Sequence, residues 1–269
     1  MVIHPSAIIH PKAEIASSAS IGPGVVIDEG VNLGAECVVG PHVYLTGATT
    51  IGSGNRFHSG AVIGDAPQDL KYRGEPTRLV IGDENVFREH VTVHRATKPD
   101  GATIIGNRCL LMAGCHVGHN SAVGDQVIIA NGALLAGHVV IQDQAFISGT
   151  CLIHQFVTVG TLALMQGGAA ISLDLPPYCV ARGPNQLAGL NTVGLRRAGF
   201  TAEQRLELRG LYQRLLRRRV SLRAALAAEN EALLREPARC LLEFVRKSKR
   251  GVCAHQRQQL KSTNESEDN

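Results

Sequence analysis

Residues 105–170 of the chain, cut into sixes, read IGNRCL-LMAGCH-VGHNSA-VGDQVI-IANGAL-LAGHVV-IQDQAF-ISGTCL-IHQFVT-VGTLAL-MQGGAA, and Ile171 opens the next unit. An apolar residue heads every unit. The same phase extends outward to Ile3 through Ile9, Ile15, Ile21, Ile27, Leu33, Val39, Leu45, Ile51, Phe57 and Ile63, and resumes at Ile81, Phe87 and Val93. Steps of six from Ile3 to Ile171 give 29 positions, of which 26 are apolar; Asp69, Glu75 and Pro99 fall in two interruptions. Glycine often follows the apolar head, and four places after it stands a small or β-branched residue such as Ala61, Val91, Val127 or Ala133. A period of six fits neither a helix nor a lone amphipathic strand, so it is a repeat.

The physical reading is an all-β parallel β-helix of hexapeptides, each a short strand plus a corner with its aliphatic side chain inward. One unit cannot bury that side chain alone, whereas stacked coils close a continuous core. If three units make a coil, residues 18 apart stack at about 4.8 Å. The absence of tryptophan and the low aromatic content of 4% suit a narrow core. Cys37, Cys109, Cys115 and Cys151 take the small inward position, where free cysteine packs as a small hydrophobe. No paired cysteine spacing suggests zinc.

Residues 1–175 form this prism, with loops projecting near 65–79 (DAPQDLKYRGEPTRL) and 95–103 (RATKPDGAT). Polar stretches with proline and glycine do not belong in a prism wall. Leu175-Pro176-Pro177-Tyr178 reads as a hinge, and residues 176–253 as a smaller helical domain. In it, Asn191–Ala198 is a short helix closed by Gly199, and Thr201 with Gln204 caps a helix running to about Arg218. Ser221 opens another to about Arg235, and Pro237 sits in the first turn of the last. Residues 254–269 are polar and read as a disordered tail. Neither a leader pattern nor an uncharged run of spanning length is evident, so the expectation is a soluble cytoplasmic protein. A net charge of +4 without interleaved aromatics argues against nucleic acid.

The 18-residue spacing also gathers chemistry. It stacks Gly118-His119-Asn120, Ala136-Gly137-His138 and His154-Gln155-Phe156 into one strip along a prism edge, with His116 just before it. A metal is one reading, since His116-x-x-His119 is a ligand gap. The strip nevertheless holds no carboxylate or thiolate, and no metal is expected. Acyl transfer is the other reading. It needs a base, which imidazole supplies, and a donor facing the oxyanion, which a glycine N–H supplies unobstructed. His119 one coil from Gly137 meets both needs. An edge between neighbouring prisms, lined by small apolar residues, would take the acyl chain.

These segments carry a family resemblance. QDLKYRGEPTR (68–78), TVHRAT (92–97), LLMAGCHVGHN (110–120), ANGALLAGHV (130–139), HQFVTVG (154–160), PPY (176–178) and GLRRAGF (194–200) closely resemble the UDP-N-acetylglucosamine acyltransferases that begin lipid A synthesis in Gram-negative bacteria. The resemblance spans about residues 1–250. It implies a homotrimer of left-handed β-helices with active sites between subunits. It also implies transfer of an (R)-3-hydroxyacyl group from acyl carrier protein to the glucosamine 3-hydroxyl of UDP-N-acetylglucosamine, with no cofactor beyond the carrier's phosphopantetheine arm.

Carried over residue by residue, the resemblance makes His119 the general base and Gly137 the oxyanion donor. His116, His138, His154 and Gln155 then line the sugar and pantetheine, and Asp69 and Lys71 contact the glucosamine. His94, Asn191 and Arg197 go with the nucleotide, and Gly167 and Asn185 with the acyl-chain ruler. The family base is usually followed by Asp, and here by Asn120, still a substrate-site residue but an uncharged one. The related N-acyltransferase of the next acylation step also carries a His-Asn pair. Val193 and Ala198 replace a Glu and a second Arg at the nucleotide end. The basic helices, with Arg196, Arg214, Arg217 and Arg218, offer a surface to an acidic carrier protein. Three alternatives stay open: acyl transfer to a 3-amino analogue, an acetyl-CoA-dependent hexapeptide acetyltransferase, and a non-catalytic β-helical paralogue.

Overall fold

A computed structural model describes residues 2–217 and 221–255. Most strands of the repeat are two residues long, and they build the three walls of a left-handed parallel β-helix. Pairing runs at 18 residues, as in Val2↔Ser20, His116↔Leu134 and Ile147↔Met165. The heads of the repeat point inward. Ile21, Leu45, Phe57, Phe87, Leu111, Ile129 and Ile153 are all buried, and Phe57 stacks on Phe87 with ring centroids 4.8 Å apart. Cys37, Cys109, Cys115 and Cys151 are buried and free; burial pushes the thiols of Cys109 and Cys115 up to about 11 and about 12.

The two excursions leave from one corner, between the second wall and the third. They lengthen the lap there, so that Arg56 pairs with Val86 and Val86 with Leu110. The first is shorter than 65–79. Val62–Asp65 is strand, and Arg78–Ile81 is again strand, with Leu79 fully buried. The second likewise ends before Ala102–Ile105, a strand in register with Arg78–Ile81 and burying Thr103. Leu79 and Thr103 sit two places before an inward head, so each excursion returns through a four-residue strand rather than a two-residue one. The loops clasp each other: Asp100 N–H donates to the Pro76 carbonyl (3.1 Å), and the Arg78 guanidinium to the Asp100 carbonyl (3.0 Å).

The end of the prism differs from the expectation of a hinge followed by helices. Leu175 bridges Val159 in parallel, and Asp174 to Cys179 are buried, so the coil continues where a hinge was read. A Cβ on Gly160 would meet Pro177 Cα at 2.6 Å, so the two chains are already at contact there. Residues 176–253 then begin with an antiparallel hairpin, Cys179–Arg182 and Gln186–Leu190, turning at Gly183-Pro184-Asn185. The helices follow: α1 Thr192–Arg197, α2 Ala202–Tyr212, α3 Leu222–Ala227 and α4 Glu236–Lys247. The Thr201–Gln204 capping box is present, and α2 runs on into a π-turn, Gln213–Arg217. The helix read from Ser221 to Arg235 is broken, because α3 ends at Ala227 and a 3-10 turn, Glu231–Leu233, follows. Ala228-Glu229-Asn230 interrupts it, Asn230 capping that turn through Ala232 N–H. The tail read from 254 has its first two residues held by the rest of the chain. Ala254 N–H donates to the Asn185 carbonyl, and His255 Nε2 meets the Tyr212 hydroxyl; residues 256–269 lie outside the described residues. No helix among the described residues is long and apolar enough to cross a membrane.

Candidate active site

The second wall turns outward His116, Leu134, Leu152 and Ala170, one above another. They floor a cleft of about 630 Å³ bounded by the corner residues Gly118, His119, Gly137, His154 and Gln155, with Gln68 at the loop side and Pro184-Asn185 at the far end. Leu134 and Leu152 are 45% and 50% exposed, an unusual cost for leucine outside an apolar groove.

His119 lies on the backbone of Gly137. A Cβ added to Gly137 would stand 2.5 Å from His119 Nε2, so only glycine leaves the ring its place. His119 Nδ1 lies 3.0 Å from Asn120 Oδ1, and His138 N–H donates to the His119 carbonyl at 2.8 Å. The Gly137 N–H meets no protein acceptor among the described residues. At the next corner the equivalent N–H groups are capped by side chains one lap up: Asn107 N–H donates to Asp125 Oδ1 and Asp125 N–H to Asp143 Oδ1, each at 2.8 Å. That ladder is missing at the cleft, where the N–H stays open to a ligand.

Three neighbouring histidines, His94, His116 and His138, are lowered and held neutral. Burial, with His94 and His119 nearby, pushes His116 down to about 4, and its Nδ1 is 2.7 Å from Thr92 Oγ1. His94 is also lowered by burial; its ring meets His116 edge-on at 4.8 Å, and its buried Nδ1 has no partner among the described residues. The resemblance grouped His94 with Asn191 and Arg197 at the nucleotide; within one chain the structure puts His94 in the cleft and the other two outside it. Burial, then His119 and Lys98, also lower His138, which Asp69 opposes; its ring stacks on Phe156 at 4.6 Å. Asp69 Oδ1 accepts Lys71 N–H at 2.9 Å while the Lys71 side chain is exposed.

Other residues fall elsewhere within the chain. Asn191 caps α1 through Gly194 N–H and donates to the Leu162 carbonyl, at the corner after the third wall, one corner on from His119. Arg196 and Arg197 are exposed beside it. Asn185 Oδ1 takes Ser172 N–H at 2.7 Å and closes the far end of the cleft. Gly167 does not line the cleft; a Cβ there would meet the Gly149 carbonyl at 3.7 Å, ordinary contact. Arg214 is not an open surface cation: its Nε and Nη2 hold Glu229 at 2.6 and 2.8 Å. Arg217 is exposed, and Arg218 lies outside the described residues. The sequence reading missed Thr92, Gln68 and Thr97. Thr97 Oγ1 and N–H donate to Asn120 Oδ1 at 2.8 and 3.0 Å. A +24 step from Thr92 reaches His116, so only knowledge of the lengthened lap would have paired them.

Fold and cleft together define an acyltransferase built on bacterial transferase hexapeptide repeats, whose model matches residues 102–137. Residues 174–253 match the second domain of UDP-N-acetylglucosamine O-acyltransferase. The chain is similar, at 44% identity over 94% of its length and 99% of theirs, to the acyl-[acyl-carrier-protein]–UDP-N-acetylglucosamine O-acyltransferases of Anaeromyxobacter sp. and Syntrophobacter fumaroxidans. Its structure is similar to the UDP-N-acetylglucosamine acyltransferase of Francisella novicida, with a TM-score of 0.91 at 35% identity over 96% of this chain and 95% of that one. The chain belongs to the UDP-N-acetylglucosamine O-acyltransferase family.

Proposed function

We propose that this protein transfers an (R)-3-hydroxyacyl chain from acyl carrier protein to the glucosamine 3-hydroxyl of UDP-N-acetylglucosamine, opening lipid A synthesis. The observation that carries the reading is the His119 ring set on Gly137, whose N–H is left open, at the rim of an apolar groove. With Nδ1–H given to Asn120, His119 Nε2 takes the proton of the attacking hydroxyl. Oxygen adds to the thioester carbonyl, and the Gly137 N–H receives the oxyanion; such a donor contributes roughly 3–4 kcal/mol. Collapse expels the pantetheine thiolate, which the imidazolium protonates. The neutral His94 and His116 bond polar substrate atoms without competing for that proton. Asp69 and Lys71 hold the glucosamine, and His138, His154 and Gln155 the sugar and pantetheine. Leu134, Leu152 and Ala170 receive the acyl chain, Asn185 bounding its length at the far end, and Gly167, outside the cleft of its own chain, reaching it only from another copy.

We infer a homotrimer as well. Asn191 and Arg197 sit one prism corner away from His119, so they reach a nucleotide in its cleft from another copy. Arg196, with Arg217, forms the surface that attracts the acidic carrier, an attraction that salt weakens. The deciding experiment offers a ladder of 3-hydroxyacyl carrier proteins together with UDP-N-acetylglucosamine or its 3-amino analogue, with the product read by mass. Transfer only to the amine, or only from acetyl-CoA, rejects the acceptor or the donor named here. Undiminished activity of His119→Ala rejects the mechanism.

A further inference from the structure

Asn120 occupies the position beside the base, yet an asparagine amide presents either its oxygen or its nitrogen to a neighbour, and only the oxygen serves a base that must hold its Nδ1 proton. Something must choose between the two faces. The amide side chain sits at a corner residue in the left-handed region (φ 60°), with its own N–H given to the Thr103 hydroxyl at 2.8 Å. Thr97, in the second excursion, supplies the choice. Its backbone N–H can only donate, and it points at Asn120 Oδ1 from 3.0 Å; its hydroxyl adds a second bond at 2.8 Å. Rotating the amide would set its NH2 against the Thr97 N–H, donor against donor, and lose that hydrogen bond, whereas the hydroxyl, able to accept as well as donate, would meet either face.

We propose that Thr97, which does not line the cleft, is a positioning residue that fixes the tautomer of His119 through Asn120. The chain of contacts is Thr97 to Asn120 Oδ1, Asn120 Oδ1 to His119 Nδ1–H, and His119 Nε2 left bare over Gly137. A carboxylate beside the base would accept from the imidazole in either rotation, so it needs no such selector. The uncharged Asn120 does. The excursion at 95–101 therefore has a part in the chemistry while both its ends are tied to wall strands: the Arg95 guanidinium donates to the Gly64 carbonyl at 2.9 Å, the Ala96 N–H to the Arg78 carbonyl at 3.3 Å, and the Arg78 N–H to the Gly101 carbonyl at 3.0 Å. The assignment of His119 as the base rests on the proposed acyl transfer; the tautomer assignment does not.

The test uses full-length protein labelled with 15N-histidine, the His119 signals being assigned by their loss in His119→Gln. The expected wild-type spectrum shows the neutral ring with Nδ1 protonated and Nε2 bare. Thr97→Pro removes the backbone N–H, the one group facing Asn120 that can only donate, and is expected to mix in the second tautomer and to lower kcat by about 3- to 10-fold, the worth of one hydrogen bond, with KM little changed. Thr97→Val removes only the hydroxyl, which can donate or accept, and is expected to keep the wild-type tautomer. In an Asn120→Asp background, where either oxygen accepts, Thr97→Pro is expected to leave the tautomer single, which separates loss of selection from a general fold defect. A single tautomer and wild-type kcat in Thr97→Pro overturn the proposal, as does a second tautomer in Thr97→Val. If no variant and not even the wild type transfers acyl groups, the acyl-transfer reading fails while the tautomer spectra still decide this one.

Discussion

His119 and Gly137 are stacked one lap apart, with the imidazole resting where a side chain on residue 137 would have to stand: a Cβ there would lie 2.5 Å from Nε2 and 2.9 Å from Nδ1. Gly137→Ala is therefore a way to move the base without removing any group that reacts. The backbone N–H survives, the ring does not stay, and a displacement of about 1 Å costs on the order of 100-fold in rate. Steady-state assay should show kcat down by about that factor with the fold intact by circular dichroism. Full activity in this variant would mean that His119 is not held where the chemistry needs it.

That stacking was readable from the chain because an uninterrupted run, Ile105 to Ile171, sets a fixed ruler of 18 residues, and both groups lie inside it. The ruler fails wherever the lap is longer. Thr92 beside His116 and Thr97 beside Asn120 were hidden, since an excursion intervenes and polar spacing there obeys no period. Leu79 was misplaced because one buried leucine at the end of a polar loop carries no phase of its own. The hairpin at 179–190 was read through as helix approach, although Gly183-Pro184-Asn185 is a turn signature; its strands are held by the prism end they cap rather than by strong propensity.

Acid should destabilise this fold through the cleft histidines. His116 sits at about 4 in the folded chain against an ordinary 6.5, so the native state resists a proton that the unfolded chain accepts. Its contribution is complete above about pH 6.5 and is lost as pH falls towards 4, an effect of at most roughly 3 kcal/mol before allowance for solvent in the half-open cleft. His94, lowered in the same direction, adds to it. Urea unfolding between pH 7 and 4 should steepen in this window, and His116→Asn should flatten it. A His116→Asn protein with the same slope as wild type would show that the acid sensitivity resides elsewhere.

The row Leu134, Leu152 and Ala170 sets the shape of the groove, and Leu152 is its middle member. Leu152→Phe adds volume outward into the cleft and leaves the core untouched, because the strand turns that side chain away from it. With donors of graded length, kcat/KM for the longest accepted acyl chain should fall by at least about 10-fold, while shorter donors lose little; displaced methylenes count about 1–3 kcal/mol each in such a pocket. Equal losses across all lengths would place the acyl chain somewhere other than along this wall.

Arg214 and Arg197 separate two explanations for the basic helices. Arg214 holds Glu229 through both Nε and Nη2, and the Glu229 side chain is only 9% exposed, so the pair ties the end of α3 to the π-turn after α2. Arg197 is exposed in the last turn of α1. Arg214→Ala should therefore cost stability, about 1–2 kcal/mol in urea unfolding given one exposed partner, and leave the KM for the acyl carrier protein alone. Arg197→Ala should leave unfolding unchanged and raise the KM for UDP-N-acetylglucosamine several-fold. Carrier-protein KM rising in Arg214→Ala at unchanged stability would restore Arg214 to the docking surface and count against its assignment as an internal strut.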